Sequence, residues 1–329
     1  MRMRNGAFLA LLFFSCFSAL GTVQAAPNLE QANFAYQRGD YKTAIDLLQA
    51  AAASEPRNGA VYLLLAKTYF QIRDRDRAVA NAEKAVALDP GNSIYHEWLG
   101  RTYGEKASHA FWFSALSLAK KSRKEFETAV QLDSRNFSAM QALIEYDCSA
   151  PGIAGGGDDK AQAEIEQIAA MDAAEGHYAR GNCRRQKKDF AAADAEFTAA
   201  LESGAKSADL IYDIGDYAMK RSQADRLLAV AQTGQKVAPD DPRAGFYRAV
   251  AYILNQEKLD AAHGMLSDYL KNAPVRDNYP SPSSAHYWLG RAFEAQNQPE
   301  AARREYQQAA SLDSDNKAAK EALKRLSSG

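Results

Sequence analysis

Cysteine is scarce in this sequence, three among 329 residues, and so are proline (10) and tryptophan (3). So few cysteines exclude a disulfide-stapled scaffold, and so little proline excludes a collagen-like fibre. Neither charge sign is in excess. The 40 Lys and Arg face 41 Asp and Glu, a net charge of −1, so the overall balance gives no reason to expect nucleic acid or a polybasic membrane contact. No stretch after the first 25 residues is apolar enough to cross a bilayer, which takes ~20 apolar residues in a helix. What is abundant is alanine, roughly a fifth of the chain, as in closely packed helices. The length allows one or two ordinary domains.

Residues 1–25 read as a secretory signal peptide. Arg2 and Arg4 form a basic start, Ala7 to Leu20 is almost wholly apolar, and Val23-Gln24-Ala25 offers small residues for cleavage before Ala26. An uncleaved anchor and lipidation at Cys16 are the alternatives. The first has an apolar run of only about 14 residues against the ~20 that span, and Phe13-Phe14-Ser15 is a poor lipoprotein signal. Cleavage leaves 38 basic against 41 acidic residues, a balance of −3. The expected location is an oxidising compartment of the cell envelope, the periplasm.

Internal periodicity decides the fold class. Ala44, in GDYKTAIDLL, and Ala78, in RDRDRAVANAEKA, are 34 residues apart. Ala193 and Leu227 repeat that spacing, Ala262 follows after 35, and Ala302 after 40. The longer last step contains the Pro/Ser-rich connector Arg276 to Ser284. Each unit reads as two amphipathic helices. Tyr62, Leu65, Ala66 and Tyr69 share one face of a first helix, as do Tyr95, Leu99, Gly100 and Tyr103. Second helices repeat small residues at Ala78, Ala82 and Ala85, and Pro56, Pro90, Pro239 and Pro274 fall where units close.

The pattern, strongest in YHEWLGRTYGEKA, IYDIGDYAMK and HYWLGRAFEAQNQPEAARREYQQAASLDSDN, resembles the tetratricopeptide repeat (TPR) family. The resemblance implies an all-α, right-handed α-solenoid. About eight helix pairs begin near 26, 59, 93, 137, 174, 208, 243 and 283, filling 26–316, and residues 317–329 form a capping helix and tail. Gly100, Gly215 and Gly290 fall where paired helices approach most closely. Enlarging them should cost about 1–3 kcal/mol by overpacking.

Two units depart from the pattern. The third holds about ten extra residues within 105–122, including Phe111, Trp112 and Phe113, followed by Lys120, Lys121, Arg123 and Lys124. Leu116, Ala119, Phe126 and Val130 can pack on neighbouring units. An aromatic knob that docks a partner or touches lipid is the alternative. The fourth unit carries PGIAGGGDDK, where two aspartates precede Lys160 and so spoil a phosphate cradle, while Asp158 suits a helix N-cap. The insert together with APGIAGGG resembles exported bacterial TPR proteins.

No catalytic constellation is present in the sequence. His96, His109, His177, His263 and His286 are dispersed, with no HExxH, GxSxG, CxxC or GxGxxG motif. Asp313-Ser-Asp315-Asn-Lys317 places Lys in a calcium-ligand position and lacks the turn glycine. No enzyme activity, cofactor or metal is therefore expected. Cys148 and Cys183 fall late in the first helices of successive units, which run side by side, so a disulfide is open to them beside two reduced thiols.

In the TPR family the concave groove is lined mainly by first helices. Carrying its positions across gives Lys67, Arg101, Glu145, Asn182, Asp216 and Arg291 at one phase, and Tyr178, Tyr212, Tyr247 and Tyr287 as a ladder at another. Tyrosine combines a flat apolar face with a hydroxyl, which suits an extended peptide. The alternative is that these tyrosines pack between repeats. Leu29 and Leu63 stand where a carboxylate-clamping Lys would be needed, which disfavours chaperone-tail binding. The expected function is an exported scaffold or adaptor holding a protein or peptide. A polysaccharide-associated adaptor using the tyrosines as sugar platforms is the second reading. Oligomeric state is not encoded in these features.

Overall fold

The computed structural model describes residues 29–276 and 278–327. The signal-peptide segment and Cys16 lie outside the described residues. Within them the chain forms seventeen α-helices and no strand. They follow as pairs: α1 (Leu29–Gln37) and α2 (Tyr41–Ser54), α3 (Gly59–Gln71) and α4 (Arg75–Leu88), α5 (Ser93–Ser108) and α6 (Trp112–Leu132), α7 (Phe137–Ser149) and α8 (Asp158–Met171). Then come α9 (Ala173–Gln186) and α10 (Phe190–Glu202), α11 (Ala208–Lys220) and α12 (Ala224–Val237), α13 (Arg243–Asn255) and α14 (Leu259–Asn272), α15 (Pro282–Ala295) and α16 (Pro299–Leu312), and finally α17 (Lys317–Ser327). Among these helices none is long and apolar enough to cross a membrane.

Local chemistry sets the boundaries. Asn58, Asn92, Asn136, Asp172, Ser207 and Ser281 precede first helices, and their side chains accept from backbone N–H groups of the opening turn. Asp40, Asp74 and Asp189 do the same for second helices. The turns within six of the pairs use a left-handed residue: Gly39, Arg73, Lys188, Ser222, Gln256 together with Lys258, and Asn297. Only the first of these is glycine, so side chains tolerate the geometry at the other five turns.

Inside four of the pairs, a ring on one helix meets a glycine on the other. A Cβ on Gly100 would lie 2.7 Å from the Phe126 ring, one on Gly181 2.6 Å from Phe197, and one on Gly290 2.5 Å from Tyr306. Histidines tie the same pairs. His96, His177 and His286 on first helices bond through Nδ1 to Glu125, Glu196 and Glu305 on the second helices. The sequence separations are 29, 19 and 19, so the first tie encloses ten more residues. Three of the five histidines are thereby structural.

Those ten residues lengthen the third pair. Helix α6 has 21 residues, against 13 or 14 in the other second helices, and is roughly 10 Å longer. Ser122, Phe126 and Ala129 face the pair's interior, and Leu116, Ala119 and Val130 are half-buried. Phe111, Trp112 and Phe113, in contrast, remain on the surface.

The glycine-rich loop closes on itself. Lys160 Nζ donates to the Gly155 carbonyl at 2.6 Å and Tyr146 Oη to the Ala154 carbonyl at 2.8 Å. Asp158 is not the N-cap expected from the sequence. Gly157 takes that place, and Asp158, one residue inside α8, pairs with Lys187 at 2.7 Å. First-turn position still favours its negative charge through the helix dipole. Close by, Cys148 and Cys183 form a disulfide, with Cα atoms 5.5 Å apart and a sequence separation of 35. Closing that loop is worth roughly 3–4 kcal/mol by chain entropy.

Next to the disulfide lies a buried charge cluster. Arg123 donates from Nε and Nη2 to the two Asp147 carboxylate oxygens, both at 2.7 Å, and from Nη1 to Glu127. Glu164 Oε1 stands 3.9 Å from the same guanidinium, while Oε2 finds no hydrogen-bond partner among the described residues. Three carboxyl groups thus share one cation, and burial, with the adjacent Asp147, raises the Glu164 pKa to about 8.

Two outcomes are expected. Gly290→Ala should lower stability by about 1–3 kcal/mol in chemical denaturation, because the Tyr306 ring occupies the space its methyl would take. For Glu164, the folded chain holds the proton more tightly than the unfolded one. The resulting stabilisation is complete below the ordinary carboxyl range and is lost as pH rises through about 8. Unfolding free energy should therefore fall from about pH 5 to about pH 8.5 by on the order of 2 kcal/mol, less than a fully buried group would give. Glu164→Gln should flatten that slope.

Candidate functional site

First helices lie next to first helices of adjoining pairs, and their polar side chains bond from one to the next. Arg101 Nη2 (α5) donates to Ser138 Oγ (α7) at 2.7 Å, and Gln141 Nε2 (α7) to Glu175 Oε2 (α9) at 2.8 Å. Tyr178 Oη (α9) donates to Asp213 (α11) at 2.9 Å, and Tyr247 Oη (α13) to Asp216 (α11) at 2.7 Å. The residues assigned to a groove from repeat phase thus form, in large part, a seam between successive units.

The tyrosine ladder is the clearest correction. Tyr212 and Tyr247 each retain 1% exposure and stack with ring centroids 5.6 Å apart, so neither offers a free face. The reason is a change of partners in the α11–α12 pair. Here the glycine sits on the second helix, and a Cβ on Gly234 would lie 2.5 Å from the Tyr212 hydroxyl. Tyr212 is the ring that fills the pair. Tyr247, in turn, fills the space beside Gly215, 2.9 Å from where its Cβ would be. Burial pushes both phenol pKa values up. Asn182 is likewise buried, and burial raises the Asp216 pKa against the opposing bond from Tyr247. Glu145 is exposed and belongs to none of these clusters. Tyr287 and Arg291 are brought together with Glu294, Glu321 and Arg325 around a cleft of about 440 Å³ between α15 and α17.

The connector after α14 does more than join helices. Arg243 is held between the rings of Tyr212 and connector Tyr279, its guanidinium carbon 4.3 Å from each centroid. Its nitrogens donate to Asp241, to Asp209 at 2.8 Å and to the Asn278 carbonyl at 3.0 Å. From there the connector reaches the first pair. Tyr41 Oη donates to the Val275 carbonyl at 2.7 Å, and Arg276 donates to Gln37. The array comes round far enough to touch its own beginning.

That contact brings Arg276 near the basic residues expected at Lys67 and Arg101. Both of these stand over Trp98, Lys67 Nζ at 4.8 Å and Arg101 Cζ at 5.7 Å from the ring centroid, with Phe70 edge-on to the same indole. Burial lowers the Lys67 pKa, Arg101 and Arg276 add to that, and Glu97 opposes it. Glu97 is itself occupied, accepting from Arg101 Nε at 2.9 Å and Ser138 Oγ at 2.6 Å. Two cations, Lys67 and Arg101, therefore lie by one buried carboxylate and a half-buried indole, with Arg276 adding positive charge near Lys67. Sequence reasoning missed Trp98 and Arg276. The signal for Trp98 was its place three residues before Arg101, one turn along the same helix face.

Residues 35–102 and 254–319 each match a family model described as tetratricopeptide repeat. Interferon-induced protein with tetratricopeptide repeats 2 from Mus musculus is 28% identical over 109 residues, 32% of this chain and 23% of that protein. Anaphase-promoting complex subunit 3 from Dictyostelium discoideum is 38% identical over 64 residues, 20% of this chain and 7% of that protein. The chain matches less than a quarter of the length of either relative. Among solved structures, the APC/C hetero-tetramer Cut9–Hcn1 is 14% identical with a TM-score of 0.49, covering 90% of this chain and 54% of that one. A tetratricopeptide repeat protein from Parabacteroides merdae is 14% identical with a TM-score of 0.40, covering 91% and 97%. With repeats of one family matched towards both ends of a continuous array of helix pairs, the chain carries tetratricopeptide repeats and is built as a tetratricopeptide-repeat solenoid, the architecture of a protein-interaction scaffold.

Proposed function

We propose that this scaffold is exported and binds an extended, acidic stretch of another protein on the first-helix surface of its second and third pairs, without catalysing a reaction. The observation that carries this reading is the cluster of Lys67, Trp98, Arg101 and Arg276. Its cations outnumber the one carboxylate among them, Lys67 is partly desolvated, and an indole face lies between two of them. A peptide carboxylate supplies the missing negative charge, and an apolar or aromatic neighbour covers the ring. Preorganisation is the mechanism: the third pair, locked by its Gly100–Phe126 contact, holds Trp98 and Arg101 in place, so binding orders the peptide rather than the protein. The basic start and apolar run of residues 1–25 support export, and the Cys148–Cys183 bond suits an oxidising compartment. The saccharide reading loses its platforms with the burial of Tyr212 and Tyr247.

Photocrosslinking from position 98 in producing cells tests the reading directly. The expected product is a defined protein adduct, reduced about tenfold or more by Lys67→Glu with Arg101→Glu, in a chain whose helical circular dichroism shows it still folded. Capture of saccharide alone, or of the same protein at the same yield by the charge-reversed chain, would overturn it.

A further inference from the structure

The lengthened third pair ends in a feature that the peptide surface does not use. At the turn from α5 to α6, Phe111, Trp112 and Phe113 are 77%, 61% and 67% exposed, and the indole and the Phe113 ring stack on each other. Three adjacent large rings held in water are costly for a fold that buries its other two tryptophans wholly or in part. They are not a misplaced part of the core. Helix α6 turns Ser122, Phe126 and Ala129 inward, and the opposite face presents Phe113, Ser117, Lys120 and Lys124, all exposed. Steps of four, three and four residues keep these side chains in one stripe. Lys121 flanks it, its ammonium 5.3 Å from the Tyr103 ring centroid.

Three lysines within five residues of one another, beside the exposed rings, give this stripe its charge. Arg123 is taken up by Asp147 and Glu127, Lys106 by Asp76, and Arg75 by Glu105. Lys120, Lys121 and Lys124 form no ion pair with any described residue. The glycine-rich loop adds a second apolar point beside them. Ile153 is 73% exposed and lines, with Lys120 and Lys124, a shallow cleft between α6 and that loop. Rings at the tip, uncompensated ammonium groups behind them and a further aliphatic side chain alongside make an amphipathic element. Its apolar part is too small to span a bilayer but suits the depth of the headgroup region.

We propose that this tip docks on an anionic phospholipid surface, Phe111, Trp112 and Phe113 entering the interface while Lys120, Lys121 and Lys124 meet lipid phosphates. Charge complementarity selects this occupant. An apolar protein pocket would take the rings but has no use for three unpaired cations placed in register behind them, whereas an anionic bilayer satisfies both.

Vesicle sedimentation with the purified chain tests this, using phosphatidylcholine vesicles with and without about a third phosphatidylglycerol. The chain is expected to sediment with the anionic vesicles and about tenfold or more weakly with the neutral ones. Phe111→Ser/Trp112→Ser/Phe113→Ser should abolish sedimentation. Lys120→Glu/Lys124→Glu should remove the anionic preference, as should high salt. All five positions are exposed, so melting temperatures should stay unchanged. Failure of the unaltered chain to sediment with anionic vesicles, the outcome if the tip docks a protein instead, overturns the proposal. So does undiminished sedimentation of the triple variant.

Discussion

A ring seated against a glycine fixes how closely the two helices of a pair can lie, and the other contacts of the array inherit that spacing. Where Phe126 meets Gly100 or Tyr306 meets Gly290, no methyl fits between helix and ring. The histidine–glutamate bonds of the same pairs reach across at 2.6–2.7 Å only because the helices are that close. The alanine excess follows from the same constraint: Ala44, Ala78, Ala193, Ala262 and Ala302 are all fully buried near the starts of second helices. It also explains how ten residues were added to the third pair without disturbing its neighbours. The Gly100–Phe126 contact and the His96–Glu125 bond remain at the base, and the added turns extend outward beyond them.

The fold class was legible because repetition multiplies weak signals. One alanine early in a helix says little, but small residues 34 or 35 apart, each with turn chemistry before it, leave few alternatives. The family matches agree with that reading. The pairing of Cys148 and Cys183 was open to the same reasoning, since repeat phase alone places them side by side.

The candidate site was less legible, for a reason contained in that success. Carrying a surface position from unit to unit assumes that equal phase means equal role. In the α11–α12 pair the glycine has moved to Gly234 on the second helix, so Tyr212, at a position expected to face a ligand, became the buried ring instead. The connector was harder. Its Pro/Ser content reads as a spacer, and nothing local tells that Tyr279 covers Arg243 or that Arg276 reaches Gln37. The second contact joins segments more than two hundred residues apart and depends on the curvature accumulated over the whole array.

Curvature also determines which charges remain available. Behind the net charge of −1, several arginines are taken up internally: Arg123, Arg226 and Arg243 are each bound by carboxylates of other helices or loops. Polar groups on the first helices are largely consumed in joining one unit to the next. Positive side chains gather near tryptophan rings in two places, around Trp98 and behind Trp112. Both belong to the third pair. Trp98 lies on α5 ten residues before its end at Ser108, about 15 Å along the helix, and the aromatic tip follows directly. Because α5 and α6 are locked at Gly100 and Phe126, between the two clusters, neither can shift without the other. If one helix pair holds a lipid surface at its tip and a peptide along its flank, it sets the height at which the peptide is presented above the membrane, with no hinge between the two sites.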